Sequence, residues 1–156
     1  VVPAPPDPVS VECFLAQRLA DAAARDRRLA LQERPRTPRR DARAAINIEG
    51  GVLWERLTPE TLAHVDFLEL TYQPGAESNP ELYRHPGTEM VLVLSGRFDI
   101  YVGFERYELN AGDSIHFPSS FPHRYVNPTD EVARAVTVII HDGERQPPTE
   151  GDQRRP

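Results

Sequence analysis

Between residues 52 and 141 the chain breaks into eight short runs that are apolar or alternate apolar with polar. They are VLWERL (52–57), HVDFLELTYQ (64–73), EMVLVLSG (89–96), RFDIYV (97–102), FERYEL (104–109), DSIHFP (113–118), PHRYVN (122–127) and VARAVTVIIH (132–141). Turn residues separate them: Pro74-Gly75, Pro86-Gly87, Ser95-Gly96, Asn110-Ala111-Gly112 and Asn127-Pro128. Short strands at such close, regular spacing predict an all-β, antiparallel sandwich or barrel.

Two runs carry more information than their propensity. In EMVLVL, Glu89, Val91 and Val93 share one face and Met90, Leu92 and Leu94 the other. Both faces are apolar beyond Glu89, as they are in VTVII (136–140), so both sides of the sheet are expected to be covered. One cover is the barrel interior. The other is the N-terminal helix or a second subunit, and a homodimer is the expectation. Glu89 itself is the anomaly, because an unpaired carboxylate taken out of water costs several kcal/mol, roughly, and so demands a partner.

The ends differ in texture from this middle. Residues 1–45 read as a proline-rich tail, an amphipathic helix starting at the N-cap residue Ser10, and a basic linker RPRTPRRDAR (34–43). Residues 10–33 contain no glycine and do not pattern as a helix-turn-helix unit. Residues 46–141 form the barrel, and 142–156 form a polar tail predicted to be disordered. Residues 1–43 hold nine arginines against six acids, and residues 44–156 nine against eighteen. So acidic a body disfavours contact with a phosphate backbone. No lysine is present, which excludes Schiff-base chemistry. No run reaches the ~20 apolar residues of a membrane span, and the single Cys13 makes the cytoplasm the default compartment.

Candidate ligands for a metal ion stand close together. His85 and Glu89 lie four residues apart around the Pro86-Gly87 turn, and His123 opens a later strand. Two imidazoles and one carboxylate are the donor set of the facial triad in non-haem iron sites. A polar core, with Glu89 hydrogen-bonded to a histidine or to an arginine such as Arg97, is the alternative reading of the same residues.

The segments PGAESNPELYRHPGTEMVLVLSG (74–96) and GDSIHFPSSFPHRYVN (112–127) resemble the two signatures of the cupin superfamily. Gly75, His85, Glu89 and Gly96 carry the first; Gly112, Pro118, His123 and Asn127 carry the second, with Ser120 where the family has glycine. The resemblance implies a double-stranded β-helix, a jelly-roll-like barrel, behind the N-terminal α-helix. It also implies one divalent metal ion (Fe, Ni, Zn or Mn) held by His85, Glu89 and His123. The family's remaining histidine position falls on Tyr83, and the loop from Gly75 is two residues longer than usual.

Within that superfamily the chain resembles the sensor half of helix-turn-helix/cupin regulators. The implied function is to bind a small molecule in the barrel as the effector-sensing part of a regulator, with DNA contact left to an upstream domain absent from this sequence. The alternative is an Fe(II)-dependent oxygenase or epoxidase-type enzyme, or an isomerase, on the same His–Glu–His triad. The related phosphonate epoxidase uses a lysine that this chain does not have.

Around the triad, Tyr83 and Tyr125 are the expected ligand-binding side chains, beside an apolar wall of Val91 and Val93. The loop 76–84 is expected to form a movable rim. Asn127 is expected to fix a strand end. His116 is expected to point outward, His64 and His141 to be solvated. Trp54, Tyr72, Phe98 and Tyr101 are candidates for a pocket wall or a dimer contact.

Overall fold

The computed structural model describes residues 9–11, 13, 14 and 37–142. Among the described residues, nine strands follow a short 3-10 turn at Arg40–Ala42: β1 (Ala45–Ile48), β2 (Val52–Arg56), β3 (Val65–Tyr72), β4 (Thr88–Ser95), β5 (Arg97–Val102), β6 (Glu105–Asn110), β7 (Ser114–Pro118), β8 (His123–Val126) and β9 (Ala133–Ile140). The eight expected runs became β2 to β9. β1 was not anticipated; its four residues AINI are too few to display a period.

All pairings between these strands are antiparallel. They form a six-stranded sheet in the order β1-β2-β3-β9-β4-β7 and a three-stranded sheet in the order β6-β5-β8. The inner faces supply Val52, Trp54, Leu68, Leu70, Tyr72, Val91, Val93, Phe98, Ile100, Phe117 and Ile139, all buried. Their alternation with exposed neighbours sets the register, since a slip of one residue would turn this whole set outward.

Of the predicted N-terminal helix, Val11, Cys13 and Phe14 are helical and the remainder lies outside the described residues. Its start matches the expectation: Ser10 Oγ accepts from Cys13 N at 3.2 Å, satisfying a donor that the first helical turn leaves open. Val11 and Phe14 are buried in the core cluster with Ile48 and Trp54, and Phe14 meets Trp54 edge to face at 5.5 Å. The predicted C-terminal tail from residue 143 also lies outside the described residues.

The outer face of the large sheet has two characters. Glu69, 5 % exposed, accepts from Arg43 at 2.8 Å and from Arg134 Nε at 3.0 Å. Burial opposes its charge, but the two guanidiniums outweigh that and lower its pKa. Further along, Phe67, Val138 and Met90 are paired in register across β3, β9 and β4. Met90, Leu92 and Leu94 are 39, 44 and 42 % exposed, so the apolar second face expected from EMVLVL is present.

Gly87 ends the connection into β4 at φ +126°, and a Cβ there would lie 2.2 Å from the Ile140 carbonyl oxygen. No side chain fits this contact or favours this backbone region. Gly87→Ala is expected to destabilise the chain by about 2–3 kcal/mol, read as a lower urea midpoint with an unchanged m-value.

Candidate metal centre

His85, Glu89 and His123 converge at one end of the barrel, and one ligand atom from each lies within 4.8 Å of the others. Glu89 is the second residue of β4, His123 the first of β8, and His85 precedes the Gly87 turn. The chain reverses over Pro86-Gly87, which returns the His85 ring to the carboxylate four residues on.

The imidazoles are oriented from behind. His123 Nδ1 lies 2.8 Å from the Phe121 carbonyl and His85 Nδ1 lies 3.3 Å from the Pro86 carbonyl. A carbonyl only accepts, so each Nδ1 carries a proton, and in the neutral ring Nε2 is left with a lone pair. Both Nε2 atoms face Glu89 Oε1, at 2.6 Å for His85 and 3.2 Å for His123. The His123 Nε2 atom is buried and makes no hydrogen bond. Three electron-pair donors aimed at one another are held together only by a proton or a cation among them. The residues therefore fit a divalent ion.

Electrostatics agree. Burial alone would push the Glu89 carboxyl up, yet the imidazoles of His123 and His85 set against it bring it down to about 2. Burial opposes charge on His85, but the hydrogen bond and charge of Glu89 outweigh it and raise this histidine above its ordinary value. Tyr125 donates its hydroxyl to Glu89 Oε2; burial first, and then the Glu89 charge, raise the phenol well above its usual range.

The surroundings correct several expectations. Tyr83 is buried beside both imidazoles, 4.5 Å from the His123 ring and stacked at 6.4 Å on that of His85. Its ring packs against both imidazoles. Tyr125, expected to face a ligand, gives its hydroxyl to Glu89 instead. The wall consists of Trp54, Leu68, Leu70, Thr137 and Ile139 as well as these groups, and not of Val91 and Val93. The free volume among them is about 10 Å³, room for an ion or one water and not for an enclosed organic molecule.

Loop 76–84 is not a loose rim. Ser78 N donates to Tyr125 O at 2.9 Å, Tyr83 N to His123 O at 3.1 Å, and Asn127 N to Ala76 O at 2.8 Å. Arg97 pairs with Asp99 and Glu108 and plays no part with Glu89. His141 is not a solvated end: its Nε2 lies 2.7 Å from the Asp66 carboxylate, which is 3 % exposed, and its ring is 6.2 Å from that of His85. This pair was missed. Asp66 has the parity of Leu68 and Leu70 on β3, so an acid on an inward-facing position was the available signal.

Other expectations hold. Asn127 donates to the carbonyls of Tyr72, Gln73 and Glu131. His116 is exposed and pairs in register with Met90 on the outer face. Of the four aromatics expected at a pocket wall or a dimer contact, Trp54 walls the site, whereas Tyr72 and Phe98 lie in the core and Tyr101 carries Arg124 over its ring at 4.7 Å.

A two-sheet antiparallel barrel with two histidines and a glutamate at one end defines a class. The family model of the cupin domain matches residues 68–140 of the chain. Among curated proteins it is 34% identical over 88 residues to Polyketide synthase CurC of Streptomyces cyaneus, covering 56% of this chain and 57% of that one. It is 31% identical over 68 residues to HTH-type transcriptional regulator PuuR of Escherichia coli, covering 44% and 36%. The chain thus spans little more than half of one curated relative and about a third of the other. Among solved structures it resembles an RmlC-like cupin from Shewanella frigidimarina, at TM-score 0.58 and 21% identity over 73% of this chain and 97% of that one. It also resembles the cupin domain of an XRE family transcriptional regulator from Enterobacter cloacae, at TM-score 0.54 and 23% identity over 60% and 99%. These structural likenesses show the fold. Among the described residues no helix is long and apolar enough to cross a membrane.

The His85–Glu89 pair also sets a pH dependence in the metal-free chain. Glu89, lowered from 4.5 to about 2, contributes stability above pH 4.5 that is lost as the pH falls toward 2. His85, raised from 6.5, contributes stability below pH 6.5 that is lost as the pH rises through its folded value. The full contribution is therefore expected between pH 4.5 and 6.5. With chelator present, the urea midpoints of the chain and of Glu89→Gln should differ most in that window. A difference independent of pH would contradict the pairing.

Proposed function

We propose that the chain holds one divalent metal ion through His85, Glu89 and His123. The ion then offers its open coordination positions to a small molecule with an oxygen or nitrogen donor. The observation that carries this is the convergence of two backbone-oriented Nε2 atoms on Glu89 Oε1, with His123 Nε2 buried and without a hydrogen-bond partner. A bound ion supplies Lewis acidity and a docking point; the protein supplies orientation and exclusion of water. With so little enclosed volume, the small molecule coordinates at the mouth of the barrel, and only its donor end enters.

We read this binding as effector sensing in a regulator. The likenesses to PuuR and to the regulator cupin domain support that role, with DNA contact left to another domain. An enzyme, an Fe(II) oxygenase or isomerase type, is the second reading. It is favoured by the likeness to CurC, which covers more of this chain, and by the part-buried Asp66–His141 pair beside His85 as a source of acid–base chemistry. The cytoplasm suits a chain whose single Cys13 is free.

Titration of chelator-treated protein with Ni(II) or Zn(II) is expected to give one ion per chain. Proton release should accompany binding wherever His85 is charged. His123→Ala is expected to weaken binding at least about tenfold. Unchanged stoichiometry and affinity in that variant would remove the assignment.

We further propose that the apolar stripe of Phe67, Met90, Leu92, Leu94, Val138 and Ile140 joins two chains as a homodimer. Sedimentation at micromolar concentration is expected to give twice the 17.6 kDa chain mass, and Leu92→Glu to give the monomer.

A further inference from the structure

The two oxygens of Glu89 are used differently. Oε1 faces Nε2 of His85 and of His123, at 2.6 and 3.2 Å. Oε2 faces away from them and accepts the hydroxyl of Tyr125. That hydroxyl is held firmly in place. Tyr125 is 2 % exposed, its amide donates to Ser78 Oγ at 3.0 Å, and its carbonyl accepts from Ser78 N at 2.9 Å. Its ring stands against Tyr72 at 6.5 Å and against His123 at 6.3 Å. Strand β8 thus places a metal ligand and a carboxylate clamp two residues apart on one inner face.

A carboxylate binds a divalent ion through one oxygen or chelates it through both. Chelation by Glu89 would require the carboxylate to turn Oε2 toward the ion and so strain or break its hydrogen bond with the phenol inside a buried site, where a lost hydrogen bond is costly. We propose that Tyr125 is a positioning residue whose hydroxyl holds Oε2, so that Glu89 ligates the ion through Oε1 alone. The inference rests on the metal reading above and deepens it. Two nitrogens and one oxygen occupy three of the six positions of an octahedral ion and leave three for water or a small molecule. A chelating Glu89 would leave two. In this chain Tyr125, which never touches the ion, therefore decides how many donor atoms an incoming molecule can place on it.

The probe is Mn(II), bound to the full chain after chelator treatment. Water-proton relaxation by the bound ion counts its exchangeable waters. Tyr125→Phe is expected to keep one Mn(II) per chain while the relaxation enhancement per bound ion falls by about a third, as three open positions become two. Mn(II) bound at full stoichiometry with unchanged enhancement would overturn the proposal and leave Tyr125 as packing.

Should the variant fold poorly or lose the ion, the unaltered chain decides. In its infrared spectrum, metal-loaded minus metal-free, a wide separation of the two carboxylate stretches marks one-oxygen ligation and supports the proposal. A narrow one marks chelation and overturns it. If the unaltered chain takes up neither Mn(II), Ni(II) nor Zn(II), the metal assignment fails first and this inference goes with it.

Discussion

A carboxylate with 2 % exposure sits in the barrel interior near the start of β4, between β9 and the edge strand β7, and the architecture of that end of the barrel answers to it. Desolvating an ionised Glu89 costs several kcal/mol, roughly, unless charge and hydrogen bonds are returned to it. They come from three directions: His85 from the turn ahead of β4, and His123 and Tyr125 from β8 in the opposite sheet. The two sheets are held in register across the core by what this one side chain requires as well as by aliphatic packing.

The layer behind these groups is mostly backbone. Carbonyls of Pro86 and Phe121 fix the imidazole rings, and loop 76–84 is tied to β8 by main-chain hydrogen bonds from Ser78 and Tyr83. Asn127, fully buried, gathers three carbonyls at the far end of the same strand. Ligands carried on strands and supported by backbone hold their geometry more closely than ligands on free loops. The site is firmly held, with little space inside. One fold hosts many activities, and here the small interior is the feature that narrows the range.

The sheet's outer face obeys a different rule. Glu69 is buried there under Arg43 and Arg134, a local ion cluster that keeps one part of the surface intramolecular. Beside it, Phe67, Met90, Leu92 and Leu94 remain open. Charge and exposed hydrocarbon on adjacent rows give that face a polar margin and an apolar centre, the composition of a contact surface.

Eight of the nine strands, the Ser10 cap, the His85–Glu89–His123 triad and the roles of Asn127 and His116 were legible in the sequence. The strands, the cap and the two side-chain roles rest on local rules, period two along a strand and a turn residue at its end; the triad rests on the resemblance of 74–96 and 112–127 to the two cupin signatures, since the donor set alone left a polar core open. What escaped depended on through-space neighbours. Tyr125 shares strand parity with His123, but only the packed barrel shows that its hydroxyl meets Glu89, 36 residues away in the chain. Asp66 and His141 lie 75 residues apart and become a pair because β3 and β9 are adjacent. The pocket's size was likewise out of reach, since it is a residue of volume left after Trp54, Tyr83 and Ile139 have packed. Sequence by itself determined which faces are buried and which groups can hold an ion, because period and donor chemistry are properties of single strands and side chains. Tertiary structure alone decided which oxygen of Glu89 is available and how much room is left beside it, because both depend on where distant strands come to rest.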